Sequence, residues 1–333
     1  MNYRHIILAS RPYGIPSSGN FRFEEKELNG LNEGEVLLKP WYFSVDPYMR
    51  GRMNDLKSYI PPFEIDQPIV GGCVARVVSS QSETFREGDI VVGALPWATY
   101  CIEKADKLRK IDPKLAPPSY NLGILGMPGL TAYFGMMKIG KPIAGETVVV
   151  SGAAGAVGSI AGQIAKIQGS YVIGITGSDE KCKSLKEQFN FDQAVNYKSS
   201  RPMDEIIAEA CPKGVDVYFD NVGGEITNAV IDNLNFHARI VLCGQISHYN
   251  NTKVPMAPSI LPRLLTRSVM VQGFIVANYS EVFGEGFAHL AQWMNEGKLN
   301  YKETIIHGFD NLPAAFLGLF SGKNHGKMLV ETE

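Results

Sequence analysis

The sequence predicts an α/β protein: a β-rich domain over residues 1–121, a doubly wound parallel-sheet domain over residues 122–299, and a segment, 300–333, that returns to the first. Three observations predict it. The chain has 333 residues, more than one hydrophobic core usually supports, so two domains are expected. Up to Tyr120 the sequence is a succession of short apolar runs broken by turns, and beyond it short β-branched runs alternate with helix-length segments. Between these two regimes PKLAPPSYN (113–121) concentrates proline and polar residues, as a boundary would.

In the first part the strand-like runs are RHIILAS (4–10), EVLLKPWYFSV (35–45), GGCVARVVSS (71–80), GDIVVG (88–93) and WATYCI (97–102). In the second they are ETVVVSG (146–152), SYVIGITG (170–177), DQAVNY (192–197), VDVYFDNVG (215–223) and ARIVLCG (238–244). Segments such as SIAGQIAKIQG (159–169) and DEKCKSLKEQF (179–189) separate them and have the length of helices. Strict β/α alternation implies parallel strands, because a parallel pair needs a crossover connection that covers one face of the sheet. A last run, VMVQGFIV (269–276), precedes the helical stretch 281–299, and the tail closes on a strand-like MLV (328–330).

Composition narrows the function. Hydrophobic residues make up 45% and charged residues 20%, so there is apolar side chain enough for two cores. With 32 basic and 34 acidic residues the net charge is -2, which supplies no long-range positive field for nucleic acid or an anionic membrane. The start carries no apolar leader core and no run approaches the length of a membrane span, so a cytoplasmic protein is expected. Cys73, Cys101, Cys182, Cys211 and Cys243 are scattered and never spaced as C-x-x-C; they are expected as small buried residues.

ETVVVSG runs into Gly152-Ala153-Ala154-Gly155-Ala156-Val157-Gly158 and directly on into a helix. That strand-to-helix context gives a glycine motif its meaning. Gly155 allows a pyrophosphate to approach the backbone, Gly158 allows the helix to pack on the strand, and the helix N-terminus offers N–H groups to the anion. Ala153 departs from the G-x-G-x-x-G spacing. The next strand usually ends in an acid, about 20 residues past the first glycine, when the cofactor is NADH. Here it ends in Gly177-Ser178, and Lys181 follows within the first helical turn, so NADPH is expected. Asp179 and Glu180 argue the other way, although acids are common in a helix's first turn for the dipole alone. Tyr197, ending the third strand, is placed to meet the adenosine phosphate.

With the loop in place, the sequence resembles the zinc-independent medium-chain dehydrogenases/reductases, and within them the prostaglandin reductase and plant double-bond (2-alkenal) reductase family. The resemblance covers almost the whole chain. It rests on SVDPYMRGRM (44–53), GMPGLTAY (126–133), SGAAGAVGSIAGQIAK (151–166), GSDEK (177–181), FDNVGGE (219–225), CGQISHYN (243–250), GFIV (273–276) and residues 308–330. It implies a GroES-like first domain, a Rossmann second domain and a homodimer. It also implies cofactor contacts from Met127 and Thr131, from Gly155, Ala156, Val157 and Gly158, and from Lys181, Tyr197 and Asn221. Further contacts are implied for Cys243, Gly244, Gln245, Ile246, Ser247 and Tyr249, for Phe274, Ile275 and Val276, and for Asn324.

A zinc alcohol dehydrogenase of this superfamily carries a G-H-E ligand motif and a four-cysteine lobe. The corresponding stretch here is Val70-Gly71-Gly72-Cys73, and no metal ligands are expected. Conjugate reduction of an α,β-unsaturated aldehyde or ketone suits such a chain. Hydride added at the β-carbon places negative charge on an oxygen that hydrogen-bond donors stabilise. Tyr249 is the candidate donor, sharing the role with the cofactor ribose, and Tyr48 either lines the substrate pocket or packs in the β-rich domain. Two alternatives stand beside this reading: an NADPH quinone reductase, and a non-catalytic NADPH-binding structural protein.

Overall fold

The computed structural model describes residues 1–333 and divides into two compact units. The first comprises Met1–Gly123, Glu303–Asn324 and Met328–Glu333. It begins with an antiparallel pair, β1 (Asn2–Leu8) and β2 (Phe21–Glu27), in which Leu8 faces Phe21. Then come β3 (Glu35–Ser44), the single turn α1 (Met49–Arg52), β4 (Val70–Ser80), β5 (Ile90–Pro96), β6 (Cys101–Lys104) and β7 (Arg109–Lys110). Val36 and Leu38 of β3 are buried while Glu35, Leu37 and Lys39 are partly exposed, the period of two that a half-buried strand requires. Their partners in the core include Phe43, Cys73, Ala75, Val77, Val91, Leu95 and Trp97.

The second unit comprises Ile124–Lys302 and His325–Lys327. Its elements are α2 (Met127–Phe134), β8 (Thr147–Ser151), α3 (Gly158–Ile167), β9 (Tyr171–Thr176), α4 (Asp179–Phe189), β10 (Gln193–Asn196) and α5 (Met203–Ala210). They continue with β11 (Val215–Asp220), α6 (Gly224–Asp232), β12 (Leu234–Leu242), α7 (Leu261–Thr266), β13 (Met270–Gly273) and α8 (Phe283–Asn295). The six strands are parallel throughout, in the order β10-β9-β8-β11-β12-β13, which is the Rossmann order. All five residues of β8 are buried, as a central parallel strand covered on both faces demands. The α/β reading of the sequence is borne out, with a β-rich first part and a Rossmann-like second.

The tail supplies β14 (Glu303–His307), α9 (Leu312–Leu319) and β15 (Lys327–Glu331). β15 pairs antiparallel with β3, Leu329 facing Ser44, and the sheet order is β14-β15-β3-β4-β5-β7 with β6 also on β3. Two short pieces of the tail belong with the second unit instead. Asn300 exchanges bonds with the Gln163 side chain, its N–H reaching Oε1 at 2.7 Å and its carbonyl accepting Nε2 at 2.9 Å. Gly326 bridges to Gly155, donating to the Ala154 carbonyl at 2.8 Å. No helix is long and apolar enough to cross a membrane.

Candidate active site

In the second sheet the strand order turns back between β8 and β11, so the loops leaving these neighbours splay to opposite faces and open a crevice at the strands' carboxyl ends. Every cofactor candidate of this unit other than Met127 and Thr131 follows such an end: Gly155–Gly158 after β8, Lys181 after β9, Tyr197 after β10, Asn221 after β11, Cys243–Tyr249 after β12, and Phe274–Val276 after β13.

At the loop after β8, Gly152 adopts a positive φ of 59° and its carbonyl accepts the Gly155 N–H at 3.0 Å. A Cβ on Gly158 would lie 2.4 Å from the Gly152 oxygen and 2.8 Å from the Ala153 Cα, so only glycine lets α3 start this close to the strand end. Ala156 and Val157 are partly exposed, and their amides have no backbone acceptor in the chain. Such amides, at the positive end of a helix, are the anion-binding element of a dinucleotide site.

Lys181 lies in the first turn of α4, which Ser178 caps by accepting the Lys181 N–H at 3.3 Å. Tyr197 follows β10, its N–H bonded to the Thr176 carbonyl at 3.0 Å, and its ring closes over Gly177 so tightly that a Cβ there would be 3.0 Å from the ring. Lys198 stands beside them, its Nζ 5.8 Å from the centre of the Tyr197 ring. Burial and the neighbouring Lys198 charge hold the Lys181 ammonium below the ordinary lysine range. Two cations gathered round a glycine strand end are what a 2′-phosphate needs. Of the two acids that argued for NADH, Asp179 is engaged elsewhere, since the Asn196 amide donates to its Oδ1 at 2.8 Å. Lys198 escaped the sequence reading; its position directly after Tyr197 was the available signal.

Asp220 ends β11 fully buried, and its carboxylate gathers six donors. Oδ1 accepts Ser151 Oγ, the Tyr218 hydroxyl and the N–H groups of Val222 and Gly223, each at 2.9 Å. Oδ2 accepts Thr227 Oγ1 at 2.7 Å and Gln245 Nε2 at 2.8 Å. A buried charge is tolerable when every lone pair is matched in this way. Its backbone carbonyl also takes the N–H of Cys243 at 2.9 Å and of Gly244 at 3.0 Å, so one residue pins the loops after β11 and β12. Asn221 donates from Nδ2 to the Ser151 carbonyl at 2.7 Å, Ile246 N–H bonds the Asn221 carbonyl, and Ser247 bonds the Val222 carbonyl through both N–H and Oγ.

Tyr249 closes the turn that follows Gln245. Its hydroxyl oxygen accepts the Gln245 N–H at 3.4 Å, and burial pushes the phenol above the ordinary tyrosine range. With that oxygen engaged as an acceptor, the hydroxyl proton remains available to a third group.

Phe274 packs edge-on against Tyr279, and Ile275 accepts the Asn278 N–H at 2.9 Å, with Val276 opening the short turn between them. Met127 begins α2 and is 39% exposed, and its carbonyl accepts the Thr131 hydroxyl at 2.7 Å. Tyr48 and Asn324 belong to the first unit. Tyr48 packs against that unit's core beside Arg52, and burial, then the Asp46 charge, pushes its phenol up. Burial pushes the Cys101, Cys211 and Cys243 thiols up to about 12, which disfavours the thiolate at each.

Residues 4–111 match the family described as the N-terminal domain of oxidoreductase, and residues 156–293 that described as zinc-binding dehydrogenase. No group of three or more His, Cys, Asp or Glu stands where it could hold a metal ion. The chain is 45% identical over 332 residues to the NADPH-dependent curcumin reductase of Escherichia coli (strain K12), covering 98% of this chain and 96% of that protein. It is 44% identical over 323 residues to prostaglandin reductase 1 of Bos taurus, covering 96% and 95%. Among solved structures it is similar to CurA in complex with NADPH from Vibrio vulnificus, with a TM-score of 0.94, 43% identity and 99% of both chains covered.

Proposed function

The chain belongs to the zinc-independent medium-chain dehydrogenase/reductase family, in the branch of the prostaglandin reductases, and we propose that it is an NADPH-dependent reductase of the carbon–carbon double bond of α,β-unsaturated aldehydes and ketones. The observation that carries this reading is the Tyr249 hydroxyl, half-buried at the carboxyl end of the nucleotide-binding sheet and held by a backbone donor that leaves its own proton free to give. When bound, NADPH supplies a hydride for the β-carbon. The chain's residues do the rest. Gly155–Gly158 would offer amides to the pyrophosphate, and Lys181, Tyr197 and Lys198 would hold the 2′-phosphate. Tyr249 donates a hydrogen bond to the carbonyl oxygen as it gains charge, and water supplies a proton to the α-carbon of the enolate.

The test follows NADPH oxidation in parallel with a straight-chain 2-alkenal, an enone and a benzoquinone. Turnover of the alkenal and enone is expected. Turnover of the quinone alone would make the chain a quinone reductase, and cofactor-induced thermal stabilisation with no turnover at all would make it a binding protein.

The functional form is a homodimer built on the edge of the second sheet. β13 is the outermost strand, and Met270 and Val271 on it are 42% and 39% exposed. In α7, which precedes β13 in the chain, Leu261 and Leu265 are 70% and 80% exposed. An unpaired edge flanked by apolar side chains is a template for pairing with a second copy about a two-fold axis. Val271→Lys combined with Leu265→Glu is therefore expected to move the protein from dimer to monomer mass in light scattering. A wild type that runs as a monomer would refute the dimer.

A further inference from the structure

Tyr249 carries the proposed chemistry, yet its hydroxyl is aimed by a neighbour. The 3.4 Å bond from the Gln245 N–H is long, so the angle at which the phenol sits depends on how firmly the Gln245 peptide is held. That peptide is held by backbone bonds from Gly244 and Ile246 on either side and, in addition, by its own side chain. Gln245 Nε2 reaches Asp220 Oδ2 at 2.8 Å, and Asp220 is fully buried and braced by five other donors from β8, β11, the following loop and α6. The other end of the carboxamide lies against Gly223, where a Cβ would be 2.1 Å from Oε1. Gly223 has a φ of 78°, so an L side chain there would be strained as well as obstructed. The two fixings restrict the Gln245 side chain, and with it the main-chain N–H two bonds from its Cβ.

We propose that Gln245 is a positioning residue for Tyr249: its carboxamide, clamped between the buried Asp220 carboxylate and Gly223, aims its own backbone N–H at the phenol oxygen and so turns the hydroxyl proton outward to the substrate oxygen. Gln245 acts through Tyr249 and has no separate part in the chemistry. This inference rests on the donor role of Tyr249 argued above.

The test is a double-mutant cycle on the full-length enzyme, with a straight-chain 2-alkenal as substrate and NADPH affinity read from nucleotide fluorescence. Gln245→Met keeps the side-chain length and removes the bond to Asp220. It is expected to lower kcat about tenfold at saturating NADPH, because the loss falls on an interaction made only in the transition state. Placed on Tyr249→Phe, the same change is expected to cost less than about twofold more, since two residues acting as one unit are not additive. Gln245→Glu, which sets carboxylate against carboxylate, is expected to lose more than Gln245→Met, and a single cooperative melting transition for the methionine variant marks its fold as intact. A Gln245→Met enzyme with wild-type kcat, or losses that multiply in the double variant, would overturn the positioning role while Tyr249→Phe still showed the donor. Full activity in Tyr249→Phe itself would instead bring down the donor reading and this inference with it.

Discussion

Lys181→Ala is expected to raise the NADPH Kd about 30- to 100-fold and to leave NADH binding within about twofold, the difference being one charge-assisted hydrogen bond to phosphate worth about 2–3 kcal/mol. The lysine sits in the first turn of α4 beside Tyr197 and Lys198, the three arranged about the glycine end of β9. Lys198→Ala is expected to act in the same sense and more weakly, because its Nζ lies out over the Tyr197 ring. Burial and the Lys198 charge favour the neutral form of Lys181, and a phosphate dianion favours the charged form. NADPH preference should therefore decline as pH rises through the lowered pKa of the free enzyme, and binding there should take up a proton. Calorimetry in buffers of different ionisation enthalpy reads that uptake. Equal weakening of both nucleotides in Lys181→Ala would remove Lys181 from the phosphate site.

The parts of this site that sequence made legible are those a local rule dictates. Gly158 announces itself because a helix that starts against a strand end leaves no room for a Cβ, and that requirement is written in the spacing from Gly152. The absence of an acid at Gly177-Ser178 is equally local. The α/β alternation was readable because β8 is apolar at every position and the helices between strands are long enough to show. β2 was not: FRFEEKE carries five charged residues on a strand whose burial rests on Phe21, so neither alternation nor hydropathy marks it. Asp220 was quoted within a motif and given no role, because its six donors come from Ser151, Tyr218, Val222, Gly223, Thr227 and Gln245. Only the parallel pairing of β8 with β11 and of β11 with β12 makes such distant positions neighbours. The placement of Gly326 against Gly155 is likewise a tertiary fact. The proposed site draws on both kinds of information: the amides offered to the cofactor's anions are local backbone devices, while the loop that carries Tyr249 has its shape set at long range.

Tyr249→Phe is expected to lower kcat about 100-fold at saturating NADPH and alkenal, the scale of losing one oriented donor to a developing oxyanion. The phenylalanine ring preserves the packing, so the NADPH Kd should stay within about twofold and the loss should fall on kcat and kcat/KM alike. Donation requires that the phenol keep its proton. Burial raises its pKa above the ordinary value, which favours the neutral form, so the tyrosine stays a donor throughout the pH range in which the free amino acid would begin to ionise. The wild-type kcat should accordingly be level from about pH 6 to pH 9 and fall only as pH rises through that elevated pKa. A tyrosine that had to surrender its proton would behave oppositely, gaining rate as pH approached the pKa from below. The Gln245 N–H favours the phenolate, but burial is the larger influence, so the donor assignment prevails. A Tyr249→Phe enzyme retaining more than half the wild-type kcat, or a wild-type rate that climbs between pH 7 and pH 10, would be incompatible with a hydrogen-bonded oxyanion at this hydroxyl.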